Sequence, residues 1–209
     1  MSLLQIGDLT AGDVLLFFDS SVAQETRART GSDYSHAAIH LGCNLVAESC
    51  SSGVRKLNIE SLLNTYERIA VFRGHNGVWT GSRINHLKQF IDDCIANGAV
   101  FNRRGVTRLT ADEPDHVRIH NEISEYYAGA RQLPPSIKSS YFCSELVAAA
   151  FNEVGIFDGA AQLYNSAEFQ SPGALAREPA FGLYIGHIRL YEGYFVPSDD
   201  EFISANGIA

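Results

Sequence analysis

The stretches Tyr34-Ser35-His36-Ala37-Ala38-Ile39-His40-Leu41 and Tyr141-Phe142-Cys143-Ser144-Glu145-Leu146-Val147 decide how this chain is read. The first alternates as a strand does, with His36, Ala38 and His40 on one face and Ala37, Ile39 and Leu41 on the other. The second opens a helix. Cys143, Leu146, Val147, Ala150, Phe151 and Val154 recur at helical spacing, and Gly155 supplies the stop. A cysteine in the first turn of a helix sits near unpaired backbone N–H groups and the positive end of the dipole, which favours the thiolate. A nucleophilic thiol also needs a base, and the strand offers His36. Alone, either residue is unremarkable, since free cysteines are commonly buried and strand histidines are commonly structural. Together they point to a cysteine hydrolase.

Working outward, Gly42-Cys43-Asn44 reads as a turn and residues 45–49 as the returning strand. A three-residue turn pairs Ala38 with Glu48 and puts Glu48 on the face of His36; a two-residue turn puts it on the opposite face. We expect the first geometry, with Glu48 as the group that orients the imidazole. Tyr34 and Ser144 are weaker candidates for contacts with substrate or oxyanion, and Tyr141 is taken as packing.

Elsewhere, a Gly-Asp turn precedes the fully apolar strand Val14-Leu15-Leu16-Phe17-Phe18, and residues 20–33 read as loop or a short helix. Residues 59–66 look helical and residues 69–73 form a strand. Ser82 is a candidate N-cap for a helix that runs to Asn97 and stops at Gly98, with Cys94 on its apolar stripe. Residues 100–138 are polar, irregular and long for a plain connection, which suggests a specificity insertion. Short aromatic-rich strands are expected within residues 181–196.

With 209 residues, 45% of them hydrophobic, the chain can bury a substantial core, and a single domain over residues 1–209 is expected. A net charge of -8 excludes a general nucleic-acid binder. The one basic knot, Arg103, Arg104 and Arg108, is followed at once by Asp112, Glu113 and Asp115. The opening residues carry no basic leader and no adequate apolar run, so no secretory signal is expected. No segment is long enough for a membrane span. The expectation is a chain made in the cytoplasm, with export by a specialised secretion machine left open.

The four cysteines form neither a CxxC pair nor a disulfide-dense pattern. The pairs His36/His40 and His116/His120 have ligand-like spacing, but neither a CxxC nor an HExxH motif accompanies them. No metal or other cofactor is expected. Serine-nucleophile and nucleotide-binding motifs are absent.

With these residues in view, the chain resembles the permuted papain-like branch of the NlpC superfamily, which includes YiiX-like proteins and is related to lecithin:retinol acyltransferase. The likeness runs through Leu9-Thr10-Ala11-Gly12-Asp13-Val14-Leu15-Leu16-Phe17, Thr30-Gly31-Ser32-Asp33-Tyr34-Ser35-His36, Val46-Ala47-Glu48, Gly53-Val54 and Ala70-Val71-Phe72-Arg73. It continues in Tyr141-Phe142-Cys143-Ser144-Glu145-Leu146-Val147 and Gln170-Ser171-Pro172-Gly173-Ala174-Leu175. Histidine before cysteine, the reverse of papain order, fits the permuted branch.

The resemblance implies an α+β, circularly permuted papain-like (NlpC-type) fold, an antiparallel sheet or small barrel packed against helices, with the nucleophile at a helix N-terminus. It implies Cys143 as nucleophile, His36 as general base and Glu48 as the orienting residue. The substrate class it suggests is a peptide or peptidoglycan fragment. An exported antibacterial effector, with an immunity or delivery protein as partner, fits the same reading. An acyltransferase or thioesterase using the same thioester is the alternative, favoured by an apolar cleft with no charged subsite. A non-catalytic binding module is the third reading, which imposes no need for all three residues.

Overall fold

The computed structural model describes residues 3–109 and 116–205, apart from the side chain of His116. The acidic residues Asp112, Glu113 and Asp115 lie outside the described residues. The elements run β1 (Leu3–Leu4), β2 (Val14–Phe18), α1 (Ala23–Thr30), β3 (Tyr34–Gly42), β4 (Leu45–Cys50), β5 (Gly53–Asn58), α2 (Glu60–Leu63) and β6 (Arg68–Arg73). Then come α3 (Gly81–Ala96), β7 (Val100–Phe101), α4 (Arg103–Val106), α5 (His116–Tyr127), β8 (Ser140–Tyr141) and α6 (Cys143–Glu153). The chain closes with α7 (Ala160–Tyr164), α8 (Pro172–Arg177), β9 (Leu183–Ile188) and α9 (Glu201–Ala205).

Seven strands form one sheet in the order β1-β9-β6-β2-β3-β4-β5, antiparallel except for β1 beside β9. The architecture is therefore α+β, and of the two sheet forms expected it is an open sheet with β1 and β5 at its edges. The central strand β2 is apolar throughout because both of its faces are covered. Val14, Leu16 and Phe18 pack with Leu146, Val147 and Phe151 of α6, whereas Leu15 and Phe17 pack with Ile59, Leu62 and Val71 on the other side.

Helix α6 departs from the simple stripe that its periodicity suggests. All ten residues from Cys143 to Asn152 are buried, including the small Ser144, Ala148 and Ala149 on the flank away from the stripe. A helix covered all round is a core helix, and here α3, α8 and the turn at Ala167–Phe169 close over it. Helix α3 is capped by Thr80, whose hydroxyl accepts from the Arg83 amide, rather than by Ser82. The segment between α3 and α6 is more regular than its composition suggests. It carries α4 and α5, and its ends meet where Val100–Phe101 pairs in parallel with Ser140–Tyr141.

Two irregularities in β3 set what that strand presents. Its hairpin to β4 is a two-residue turn, Cys43-Asn44, with both residues at positive φ (51° and 59°). A two-residue turn alone would turn Glu48 away from His36. A bulge between His40 and Gly42 restores the register, so Ile39 faces Ala47 and the next step brings Glu48 level with Ala38. The expected geometry is thus reached by another device. The second bulge lies at the other end, where Phe17 pairs with His36 but Phe18 pairs with Tyr34, leaving Ser35 as the extra residue.

Candidate active site

The registered pairs of β3 and β4 end at Ile39 and Ala47, and the start of α6 meets these strands beyond that point, at Ala37 and Ser49. Ser49, on β4, donates from its hydroxyl to the Tyr141 carbonyl at 2.6 Å. The Ala37 amide of β3 and the Ser144 amide of α6 both interact with the Cys143 sulfur. The thiol is thereby held against the histidine strand at the N-terminus of a buried helix, where unpaired amides and the helix dipole stabilise negative charge.

His36 lies between two partners. Its Nε2 is 2.6 Å from Glu48 Oε2, which leaves Nδ1 as the ring nitrogen free to face the Cys143 thiol. Tyr66 stacks parallel to the imidazole at 5.7 Å and Phe17 tilts against it at 5.4 Å, so the ring is fixed by packing as well as by hydrogen bonds. The other oxygen of Glu48 accepts both Nε (2.8 Å) and Nη2 (2.6 Å) of Arg55. Glu48 is buried, and both of its oxygens are engaged.

The electrostatics follow from this chain of contacts. Burial pushes the His36 pKa down, but the Cys143 thiolate and the Glu48 carboxylate outweigh it and raise the pKa to about 10. Burial pushes the Cys143 thiol up, and the His36 imidazolium with the Ala37 and Ser144 amides brings it below its ordinary value. Glu48 likewise falls below the usual carboxylate range, because His36 and Arg55 outweigh its desolvation. Each charge favours the other, and the two titrations belong to the pair.

The structure thus brings together Cys143, His36 and Glu48. Tyr34 is a correction. Strand alternation would put it on the face of His36, but the bulge at Ser35 turns it to the other face of the sheet. Its phenol is fully buried, donates to Asp200 Oδ2 at 2.8 Å and meets His187 Nε2 at 2.7 Å. Ser144 meets the Cys143 sulfur through its amide, and its buried hydroxyl has no hydrogen-bond partner among the described residues. Tyr141 is structural, with its hydroxyl donating to the Ser136 carbonyl at 2.5 Å. His40 lies buried beside Asp13 and Arg73, and burial lowers its pKa. All four cysteines are free, and Cys94 sits in the core with its pKa raised by burial.

Sequence reasoning missed three residues. Arg55 was findable, because a two-residue turn at Ser51-Ser52 places it directly across from Glu48. Tyr66 follows a short helix and gave no local signal. Glu145 lies in the first turn of α6 and accepts the Phe142 amide (3.1 Å), the Asn102 side-chain amide (3.0 Å) and the Lys138 ammonium (3.1 Å). It ties both ends of the 100–138 segment to the helix that carries Cys143.

No family model and no curated protein matches the chain. Among solved structures it is similar to YiiX from Escherichia coli O157:H7, described as a metalloprotein. The match has 18% identity and a TM-score of 0.48, and it covers 82% of this chain and 93% of that one. Among the described residues, no group of three or more His, Cys, Asp or Glu is arranged to hold a metal ion, and no helix is long and apolar enough to cross a membrane.

Proposed function

We propose that this chain is a cysteine hydrolase of the permuted papain-like NlpC type that cleaves amide bonds, with Cys143 as nucleophile, His36 as acid and base, and Glu48 as the residue that orients His36. The observation that carries the reading is the placement of His36 between the Glu48 carboxylate and a thiol at the first residue of a buried helix. That arrangement supplies an activated nucleophile, a proton carrier and a fixed ring orientation at once.

The Cys143 thiolate attacks the substrate carbonyl, and the carbonyl oxygen becomes an oxyanion. The first amides of α6 have no acceptor within the helix and can stabilise that charge. The His36 imidazolium gives its proton to the departing amine as the C–N bond breaks, leaving a thioester. His36, now neutral, takes a proton from water, which attacks the thioester and releases the acid and the thiolate. Glu48 and Arg55 keep the ring in place through both steps.

Peptides, including peptidoglycan fragments, are the substrate class of this reading. Digestion of purified peptidoglycan by wild type and by Cys143→Ala, read by mass spectrometry of soluble fragments, tests it. Fragments released by wild type alone are expected, and their ends identify the bond cut. Release that is equal in the two proteins, or a Cys143 that alkylates no faster than Cys94 near neutrality, overturns it. Acyl transfer is the second reading, favoured by the mainly apolar lining of the pocket beside Cys143, although Glu25 and Arg29 also line it.

A further inference from the structure

The 101–109 segment builds a wall beside the thiol, and three contacts key that wall to its surroundings. Asn102 donates to Glu145 of α6 and also accepts from the Gly105 amide at 2.9 Å, capping α4. Gly105 has no side chain because a Cβ there would come within 2.7 Å of the Phe142 ring and 2.5 Å of the Asn102 amide. Arg29 of α1 donates to the Val106 carbonyl at 2.6 Å. Between this wall and α1 lies a pocket of about 260 Å³, lined by the apolar Val22, Phe101, Val106, Leu109, Phe142 and Pro172, and opening at Cys143 and His36.

The Arg29 and Thr30 side chains at this pocket are already engaged, and Thr26 and Ser35 add hydroxyls to its lining. The Arg29 guanidinium holds the Val106 carbonyl and lies 3.8 Å from Glu25, and the Thr30 hydroxyl donates to the Thr26 carbonyl at 2.9 Å. A cation committed in this way pins the wall instead of waiting for an anionic ligand. The volume lies below the roughly 300–1,000 Å³ of sites that hold drug-sized ligands. It suits one branched or aromatic side chain, or a short acyl group, and a long lipid tail overflows it.

We propose that this pocket is the specificity subsite of the enzyme, and that it takes a short, neutral, apolar group adjacent to the reacting carbonyl, with Val106 and Leu109 setting its depth. The inference rests on the hydrolase reading for its chemistry, and on pocket geometry alone for its ligand.

A series of N-alkyl iodoacetamides tests it, running from methyl through butyl to dodecyl, with each Cys143 alkylation rate divided by that of iodoacetamide on the same protein. Each buried methylene is worth about a fourfold gain, so the ratio should climb through butyl and fall by dodecyl. Leu109→Trp, which fills the pocket, should flatten the series. Val106→Ala, which deepens it, should move the best chain length upward, and this second variant decides the matter if Leu109→Trp does not fold. A flat wild-type series overturns the proposal, as does one still climbing at dodecyl or a slope that neither variant changes.

If Cys143 alkylates no faster than Cys94, the hydrolase reading fails on its own. The pocket is then judged with N-butylacetamide, which carries no reactive group, by methyl NMR of the Cys143→Ala protein. Shifts at Val106 and Leu109 support the subsite, and their absence at millimolar ligand overturns it.

Discussion

Two histidines of this molecule keep almost the same company and are driven in opposite directions. His36 is 2.6 Å from Glu48, whose other oxygen takes Arg55. His187 is 3.5 Å from Asp200, which takes Arg68 at 2.9 Å. Burial disfavours the charge on both rings, yet His36 rises to about 10 and His187 falls to about 4. At His187 burial prevails and Arg68 adds to it against the pull of Asp200, whereas at His36 the Cys143 thiolate and Glu48 outweigh burial. Both nitrogens of His187 are met by phenols, Tyr34 and Tyr184, each at 2.7 Å, and a neutral ring satisfies them without charge separation. His36 instead meets a thiol that its own charge can ionise. A histidine, a carboxylate and an arginine therefore do not make a reactive site by themselves. The His187 cluster serves the fold by tying the chain at Asp200 to β3 and β6 through Tyr34 and Arg68.

The largest test of this contrast exchanges the consequences of losing each ring. His36→Ala should lower turnover by roughly 10²–10⁴-fold, the range of a lost general acid–base, and slow Cys143 alkylation near neutrality, while leaving the melting temperature close to wild type. His187→Ala should do the reverse. It opens a cavity and strips the Tyr184 hydroxyl of its acceptor, for a loss of about 2–4 kcal/mol, and turnover per folded molecule stays at the wild-type level. Melting curves and kcat measured side by side decide it. A His187→Ala protein that is folded but inactive, or a His36→Ala protein whose Cys143 alkylates as fast as wild type, breaks the contrast.

The second test uses pH. An unfolded histidine titrates near 6.5, and His187 in the fold titrates at about 4. Between those values the unfolded chain binds the additional proton, so stability from this group is full above pH 6.5 and is lost as pH falls toward 4. The gap is worth on the order of 3 kcal/mol. Urea unfolding from pH 7 to pH 4.5 should therefore show a loss in wild type that is markedly smaller in His187→Phe. Parallel curves for the two proteins would remove His187 from the account of acid sensitivity.

How much of this was legible in the sequence depended on the bulges of β3. Cys143 and its helix followed from apolar spacing and the Gly155 stop, and His36 followed from strand alternation. Glu48 was placed on the correct face with the wrong turn, because the bulge between His40 and Gly42 added back the residue that the two-residue turn had removed. Tyr34 was misplaced by the same reasoning, because the bulge at Ser35 is invisible to period-2 counting. Local pattern carries no information on where a ladder slips by one residue. The regular content of 100–138 was missed for a different reason. Helix α4 spans four residues, too few for a periodicity to show, and the start of the segment is tied down by the distant carboxylate of Glu145.

The smallest expected effect concerns Arg55, and it separates charge from geometry. Its side chain is 48% exposed against 2% for Glu48, so solvent screens most of its field and its electrostatic share is about 0.5 kcal/mol. What it adds is position, since two donors on one Glu48 oxygen fix the carboxylate plane that faces His36. Glu48→Gln removes the charge beside the imidazolium and should narrow the pH range over which Cys143 stays ionised. Arg55→Ala should lower turnover by no more than about fivefold and leave the pH profile of Cys143 alkylation nearly in place. Arg55→Lys restores the charge without the two-pronged contact, so it should behave like the alanine variant. If lysine instead rescues wild-type turnover, Arg55 acts through its charge. If Arg55→Ala shifts the alkylation profile as far as Glu48→Gln does, the arginine belongs to the ionising machinery, and the parallel with Arg68 in the His187 cluster ends there.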